Sequence, residues 1–167
     1  MEVGWSILRK AVFLDRDGVI NRSAPEHDYI KKWKDFCFLP GVPEAIHSLN
    51  KAGYLVLIVT NQRGIARGLM TRKDVDEIHR RMCLELEKYG AQIDGIYICP
   101  HDIGQCSCRK PEVGLFLQAE QDFPLDKTQS WMVGDSDSDV EAGRRYGVNT
   151  IKGSILSEAI KQILEES

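Results

Sequence analysis

The chain has 167 residues, of which 43% are hydrophobic and 28% are charged, and its formal net charge is −3 at pH 7. This length favours a single domain, and the composition excludes disordered, fibrous and low-complexity chains. The 22 Lys and Arg residues are scattered, so the sequence has no basic stripe for binding nucleic acid. No apolar run is long enough for a membrane span or typical of a signal peptide, and we therefore expect a cytoplasmic protein.

Short apolar runs alternate with amphipathic stretches along the chain, which is typical of βα units on a parallel sheet. The predicted strands are 11–14, 54–60, 96–98, 131–133 and 148–151. The predicted helices are 42–51, 71–89, 114–122, 137–146 and 154–164. We therefore expect an α/β fold with a Rossmann-like, doubly wound, mostly parallel sheet, helices on both faces and one domain over residues 1–167.

Three segments interrupt this alternation, and each follows the carboxyl end of a predicted strand: 21–40, 62–70 and 100–111. In open α/β sheets, ligands bind at this edge. Because these segments are short, the spacing leaves no room for a separate cap domain. The sequence thus predicts a capless protein in which the loops select the ligand.

Two clusters of acidic residues directly follow predicted strands. Asp15 and Asp17 follow the first strand, and their carboxylates can converge because residues two apart in an extended chain point to the same side. Asp135, Asp137 and Asp139 follow the fourth strand. Carboxylates gathered in this way are typical of a hard-cation site, or of a pair that divides the roles of nucleophile and proton donor. The alternative is structural, because Asp also caps turns and helices.

Two single residues stand in matching positions. Thr60 closes the second predicted strand, where its hydroxyl and the following amides can donate to a phosphoryl oxygen. Lys110 follows the third interrupting segment, next to Pro111. Each residue alone is more often structural. Together with the acidic clusters, they predict a pocket for an anion and a metal ion.

The segment 99–108 contains four potential zinc ligands: Cys99, His101, Cys106 and Cys108. Three thiolates and one imidazole match a closed tetrahedral zinc site, which has no open position and is therefore structural. The alternatives are a disulfide pair or free thiols, and a cytosolic chain disfavours the disulfide. The two remaining cysteines, Cys37 and Cys83, are interpreted as ordinary thiols.

These motifs occur in the order Asp15-x-Asp17-Gly18, Thr60, Lys110, and Gly134-Asp135 with Asp139. In this order they resemble the haloacid dehalogenase superfamily of phosphotransferases, over residues 10–152. The resemblance implies that Asp15 is the nucleophile that forms an aspartyl-phosphate and that Asp17 is the acid and base. It also implies that Thr60 and Lys110 hold the phosphoryl group. The implied ligands of a catalytic Mg²⁺ are the carboxylates of Asp15 and Asp135 and the backbone carbonyl of Asp17.

The zinc array, which runs into Cys108-Arg109-Lys110-Pro111, is similar to that of the superfamily branch containing heptose bisphosphate and histidinol phosphatases. The run 60–68 resembles the heptose enzymes more. The branch implies removal of the C7 phosphate from a heptose 1,7-bisphosphate. We expect a monomer, because nothing in the sequence demands an oligomer. The alternatives are another small sugar phosphate or histidinol phosphate, and a zinc-stabilised binding module without catalysis. The residues implied to bind the substrate are Asn21, Asn61, Gln62, Arg63 and Arg109.

Overall fold

Five strands alternate with five helices in residues 7–167, the part of the chain that this computed structural model describes. The first six residues, which also belong to the predicted domain and to the expectation about a signal peptide, lie outside it. The strands are Ala11–Leu14 (β1), Leu55–Asn61 (β2), Gly95–Cys99 (β3), Trp131–Gly134 (β4) and Asn149–Lys152 (β5). The helices are Val42–Lys51 (α1), Arg72–Glu87 (α2), Gly114–Asp122 (α3), Asp137–Tyr146 (α4) and Leu156–Glu166 (α5).

The predicted elements are confirmed, with boundaries that differ by at most two residues. The start of α2 shows why one boundary was predictable, because Thr71 and Asp74 form a reciprocal capping box. Thr71 Oγ1 accepts a hydrogen bond from the Asp74 amide at 3.1 Å, and Asp74 Oδ2 accepts one from the Thr71 amide at 2.8 Å. Both amides would otherwise lack partners at the helix start. Two 3₁₀ helices, Trp33–Asp35 and Lys127–Gln129, were not predicted.

All neighbouring strands in the sheet are parallel, in the order β3-β2-β1-β4-β5. The central strand β1 pairs with β2 on one side and with β4 on the other, so that Leu14 is in register with both Ile58 and Val133. The carboxyl ends of these three strands therefore meet at one edge. This register brings the two acidic clusters and Thr60 to the same place.

The two faces of the sheet bury separate cores, because side chains alternate along each strand. Val12 and Leu14 pack on one face with residues of α1, α2 and α5. Ala11 and Phe13 pack on the other face with residues of α3 and α4, and the Phe13 ring lies 4.8 Å from that of Phe116. Helices thus cover both faces, and the doubly wound architecture is confirmed.

The loops at the carboxyl edge contain little regular structure. Residues 15–41 contain one 3₁₀ helix, and residues 100–113 contain no helix or strand. Within residues 7–167, neither loop forms a lobe of its own above the sheet edge, and the edge is capless as expected. Among the helices described, none has both the length and the apolar character that crossing a membrane requires.

Candidate active site and zinc centre

Lys110 reaches from its loop to the carboxyl ends of the central strands. Its Nζ donates to Asp15 Oδ1 at 2.9 Å and to the Val59 carbonyl at 2.8 Å, and it pairs with Asp139 Oδ1 at 2.6 Å. The residue is only 3% exposed. Burial by itself would lower the pKa of Lys110, but the charges of Asp15 and Asp139 outweigh it and raise that pKa. The ammonium group therefore stays charged next to Asp15.

Asp139 is committed to positioning Lys110 and the start of α4. While Oδ1 pairs with Lys110, Oδ2 accepts hydrogen bonds from the Ser136 amide at 3.2 Å and from the Ser136 hydroxyl at 2.8 Å. Asp137 was grouped with it in the sequence, but its side chain is 94% exposed and pairs with Lys152 at 2.7 Å. The expectation that Asp137 joins a cation cluster is therefore wrong. It occupies the outward face of the first turn of α4.

Asp15 and Asp135 form an arrangement that fits a divalent cation. Carboxylate oxygens of Asp15, Asp135 and Asp139 lie within 4.8 Å of one another, and Asp139 already uses both of its oxygens. Burial raises the pKa of Asp15 to about 7, and burial and the charge of Asp139 raise the pKa of Asp135. The cost of holding both carboxylates ionised would be offset by a hard cation such as Mg²⁺.

Gly18 provides the space that Asp135 needs. Its φ is +87°, and a Cβ built on it would lie 2.0 Å from Asp135 Oδ2. A residue with a side chain would therefore clash with the carboxylate and also adopt an unfavourable left-handed conformation. The glycine of the first motif thus lets the loop after β1 pass directly against Asp135.

The Asp17 carboxylate is held away from the cation cluster by several donors. Arg16 donates to Asp17 Oδ1 from Nε at 3.2 Å and from Nη2 at 2.8 Å. Asn21 Nδ2 donates to Oδ1 at 2.9 Å, and Gln62 Nε2 donates to Oδ2 at 3.1 Å. Burial alone would raise the pKa of Asp17, but the charge of Arg16 and these hydrogen bonds outweigh it and lower that pKa. The backbone carbonyl of Asp17 stays the predicted metal ligand.

Several residues implied to bind the substrate have side chains engaged within the protein. Asn21 and Gln62 are fully or almost fully buried and hold Asp17, and Gln62 also donates to Thr60 Oγ1 at 3.0 Å. Asn61 holds the backbone of Lys110, because its Oδ1 accepts a hydrogen bond from the Lys110 amide at 3.1 Å. These contacts position Asp17, Thr60 and Lys110. Contact of these three residues with a substrate stays a prediction.

The two arginines of this set differ in their surroundings. Arg63 forms an ion pair with Asp102. This pair connects the loop after β2 to residues 99–108, which contain the four potential zinc ligands. In contrast, Nη1 of Arg109 is buried and has no hydrogen-bond partner among residues 7–167. A buried guanidinium nitrogen without an acceptor is costly. Arg109 is therefore the residue of the set whose side chain most needs an acceptor, and its contact with an anionic ligand stays a prediction.

The four predicted zinc ligands converge. Cys108 Sγ lies 3.2 Å from Cys99 Sγ and 3.3 Å from Cys106 Sγ, and His101 Nδ1 lies 3.2 Å from Cys108 Sγ. These separations are close to the edges, about 3.6–3.8 Å long, of a tetrahedron around Zn²⁺ with ordinary zinc–ligand bonds. They are too long for a disulfide, whose sulfur atoms lie about 2 Å apart. The three cysteines are free thiols in this arrangement, and together with His101 they form a cluster that can hold zinc.

Residues 99–108, which contain the four potential zinc ligands, are anchored at both ends in the protein core. Cys99 ends β3, and Cys99 and Cys108 pack with Leu115 and Phe116 of α3. Burial raises the pKa of the Cys99 and Cys108 thiols, so a cation is needed to hold them as thiolates. Burial also acts on Cys106, but hydrogen bonds, foremost that from the Arg109 amide, outweigh it and lower its pKa to about 6. This set of donors suits Zn²⁺.

A cleft of about 670 Å³ opens beside Asp135 and Gly18. It lies between the loop after β1 and the start of α5, and its other lining residues include Arg22, Leu39 and Ile155. The cleft is large enough for a small ligand. Asp135 therefore lies at the margin of an open depression.

Sequence reasoning did not identify the roles of Arg16, His79 and Asp102. Arg16 stands inside the first motif, and this position between two acids was the available signal. His79 lies in α2, 63 residues later, and its Nε2 is 3.1 Å from Arg16 Nη1. Nothing in the helical pattern distinguished it from an ordinary core residue.

The sequence is similar to a known protein family and to individual proteins of known name. The family model described as "Polynucleotide kinase 3 phosphatase" matches residues 10–157. The D-glycero-beta-D-manno-heptose-1,7-bisphosphate 7-phosphatase of Rhodopseudomonas palustris is 41% identical over 168 residues, which covers 95% of this chain and 92% of that protein. The D-glycero-alpha-D-manno-heptose-1,7-bisphosphate 7-phosphatase of Campylobacter jejuni is 42% identical over 142 residues, with coverages of 85% and 80%.

A solved structure is similar over the whole fold. The crystal structure of the D,D-heptose 1,7-bisphosphate phosphatase from B. bronchiseptica, complexed with magnesium and phosphate, superimposes with a TM-score of 0.82. It is 30% identical in sequence, and the match covers 95% of this chain and 99% of that one. The chain therefore belongs to the haloacid dehalogenase superfamily of phosphatases, in the group of the heptose-1,7-bisphosphate 7-phosphatases.

Proposed function

We propose that this protein hydrolyses the C7 phosphate ester of D-glycero-D-manno-heptose 1,7-bisphosphate, with Mg²⁺ as cofactor and zinc as a structural ion. The observation that carries the proposal is that the Asp15 carboxylate lies 2.9 Å from the Lys110 ammonium and within 4.8 Å of the Asp135 carboxylate. This arrangement supplies a nucleophile, a fixed positive charge and a cation ligand at one sheet edge. The 41% identity to a heptose phosphatase over 95% of the chain supports the choice of sugar.

In the first half of the reaction, an oxygen of Asp15 attacks phosphorus, and the bond from phosphorus to the C7 oxygen breaks. Bound Mg²⁺, held by Asp15, Asp135 and the Asp17 carbonyl, supplies positive charge that lets the anionic carboxylate approach the anionic phosphate. Lys110 and the Thr60 hydroxyl hold the transferring phosphoryl oxygens. The product of this half is an aspartyl-phosphate on Asp15.

Asp17 acts first as the general acid and then as the general base. The incoming phosphate dianion raises the pKa of Asp17, because like charges disfavour its ionised form, and the acid then donates its proton to the C7 oxygen. In the second half, the oxygen of a water molecule attacks phosphorus while the ionised Asp17 carboxylate accepts a proton from that water. The bond between phosphorus and the Asp15 oxygen breaks, which frees the Asp15 carboxylate and releases inorganic phosphate. The lowered pKa of Asp17 in the substrate-free protein suits this second task.

Recognition of the rest of the substrate falls to the loops at the edge. Arg109, whose Nη1 is buried and has no hydrogen-bond partner among residues 7–167, would turn this nitrogen toward the distal phosphate or a sugar hydroxyl. Asn61 and Arg63 would contact the substrate at the margin, and the buried Asn21 and Gln62 would support it through Asp17. All these groups come from one chain, so we propose that residues 1–167 act as one catalytic domain in a monomer. A cluster of reduced thiols fits a reducing compartment such as the cytoplasm.

A panel of phosphate esters tests the proposal. We expect the highest kcat/KM with one of the two anomers of D-glycero-D-manno-heptose 1,7-bisphosphate, and release of the C7 rather than the C1 phosphate. Histidinol phosphate, fructose 1,6-bisphosphate and a 3′-phosphorylated oligonucleotide serve as comparison substrates, assayed with the same Mg²⁺ concentration. A higher kcat/KM with any of these three would contradict the assignment.

Replacement of Gly18 by alanine tests the fit between the first loop and Asp135. The new Cβ would displace the Asp135 carboxylate, and we expect kcat to fall about 100-fold and the Mg²⁺ requirement to rise. Gly41→Ala is the matched control, because its φ is +76° but a Cβ there meets no atom of residues 7–167 within 4 Å. Both variants should lose about 1–2 kcal/mol of stability from backbone strain. Equal kcat in the two variants would refute the role of Gly18.

A further inference from the structure

The Arg16 side chain points into the protein interior and connects Asp17 to a helix behind the site. It is wholly buried, and it forms an ion pair with Asp17. Nε and Nη2 contact Asp17 Oδ1, whereas Nη1 lies 3.1 Å from His79 Nε2. Because the guanidinium group is planar and rigid, contacts at one edge determine where the other edge points.

The chemistry of this pair identifies the protonation state of His79. Arginine nitrogens only donate hydrogen bonds, so Nε2 of His79 must accept, and the ring proton lies on Nδ1. The residue is 5% exposed. Burial and the charge of Arg16 lower the pKa of His79 to about 3, so the ring is neutral over the whole physiological range. His79 thus serves as a fixed acceptor and not as a charge.

The imidazole is not required for packing. The neighbouring inward residues of α2 are apolar, among them Val75, Ile78 and Met82, and a leucine would continue that face. Burying an imidazole costs free energy unless its nitrogens are hydrogen-bonded. The contact with Arg16 is therefore what makes a histidine suitable at this position.

We propose that His79 is a positioning residue for the phosphatase reaction: it holds the Arg16 guanidinium against Asp17 and thereby keeps the Asp17 carboxylate aimed at the reacting oxygens. Asn21 and Gln62 hold the same carboxylate independently of His79, so its loss misaligns Asp17 without releasing it. The inference rests on the proposed function, because it concerns the proton transfers assigned to Asp17. His79 itself does not contact the substrate.

Two substitutions separate positioning from packing. His79→Leu introduces an apolar side chain of similar size and removes the hydrogen-bond acceptor. We expect kcat to fall about 10- to 100-fold with KM unchanged. His79→Gln provides a carbonyl oxygen near the position of Nε2, and we expect it to recover most of kcat. His47→Leu is the control, because His47 bonds to the Gly90 carbonyl on the surface, and neither constant should change.

A measurement without substrate tests the same contact. In ¹⁵N NMR of the Mg²⁺-loaded protein, the His79 ring should be neutral with its proton on Nδ1. A proton on Nε2 would overturn the inference, even if the leucine variant does not fold. Unchanged kcat in His79→Leu, or equal losses in the leucine and glutamine variants, would also overturn it.

The kinetic measurements on the unmodified protein and on His79→Leu distinguish a failure of this inference from a failure of the proposed function. If the unmodified protein hydrolyses a different phosphate ester and His79→Leu slows that reaction, the positioning role stands and only the substrate assignment fails. If the protein hydrolyses heptose bisphosphate and His79→Leu does not slow it, only the positioning role fails. If it hydrolyses no phosphate ester, both fail.

Discussion

Replacing Asp15 by asparagine is expected to lower kcat by about 10⁵-fold or more, which corresponds to about 7 kcal/mol of transition-state stabilisation. The amide cannot attack phosphorus to form the aspartyl-phosphate. Steady-state phosphate release at saturating Mg²⁺ measures this loss. Retention of more than a hundredth of the wild-type rate would contradict the assignment of Asp15 as the nucleophile.

The same variant should stay folded, which separates lost chemistry from lost structure. Lys110 keeps Asp139 and the Val59 carbonyl as partners. Burial raises the pKa of Asp15 to about 7 from an ordinary value of 3.8. Its ionisation therefore destabilises the metal-free fold progressively as the pH rises through this interval. At pH 8 without Mg²⁺, we expect the thermal unfolding midpoint of Asp15→Asn to equal or exceed that of the wild type, and Mg²⁺ to stabilise the variant less.

Loss of zinc is expected to have the second largest effect. Elemental analysis should find about one zinc ion per chain. We expect Cys106→Ser to lower the free energy of unfolding by about 4 kcal/mol or more, because the remaining buried thiols lose the cation that stabilises their thiolates. Urea unfolding monitored by circular dichroism measures this change. Cys37→Ser is the control, because Cys37 is an exposed free cysteine outside the cluster, and its effect should be small.

Zinc should also influence catalysis, because the residues that follow Cys108 carry Lys110 to the site. Lys110 lies two residues after Cys108, and Asn61 fixes its backbone at the end of β2. A disordered 99–108 segment would therefore release the ammonium from Asp15, and kcat should fall together with stability. Chelation followed by readdition of Mg²⁺ alone should not restore kcat, whereas added zinc should. A folded, active protein without zinc would contradict this prediction.

The order of strands and helices was predictable from the sequence, because each element carries its own local signal. Buried parallel strands are short and continuously apolar, and helix starts such as that at Thr71 are marked by their caps. The register of β1 between β2 and β4 then places Asp15, Thr60 and Asp135 at one edge. Spacing alone also indicated the zinc ligands, since all four lie within ten residues of one another.

The direction of side chains was not predictable in the same way. Asp137 and Asp139 are two residues apart in one acidic run, yet the first is at the surface and the second is 1% exposed. They lie in the first turn of α4, where two positions separate side chains by about 200° around the axis. The extended-chain argument that suits Asp15 and Asp17 therefore fails once the helix begins.

The fold class, the candidate catalytic carboxylates and the two clusters that could hold metal ions were predictable from the sequence, because these depend on residue type and local spacing. The contacts of the surrounding polar residues, in contrast, depend on how the chain packs. Asn21, Gln62 and Arg63 bind neighbouring protein groups, and His79 reaches Arg16 from a distant helix. One buried nitrogen of Arg109 has no partner in the part of the chain that the structure describes. A hydrogen bond needs a partner within about 3 Å, and for residues far apart in the chain only the packing of helices on the sheet brings that partner into place.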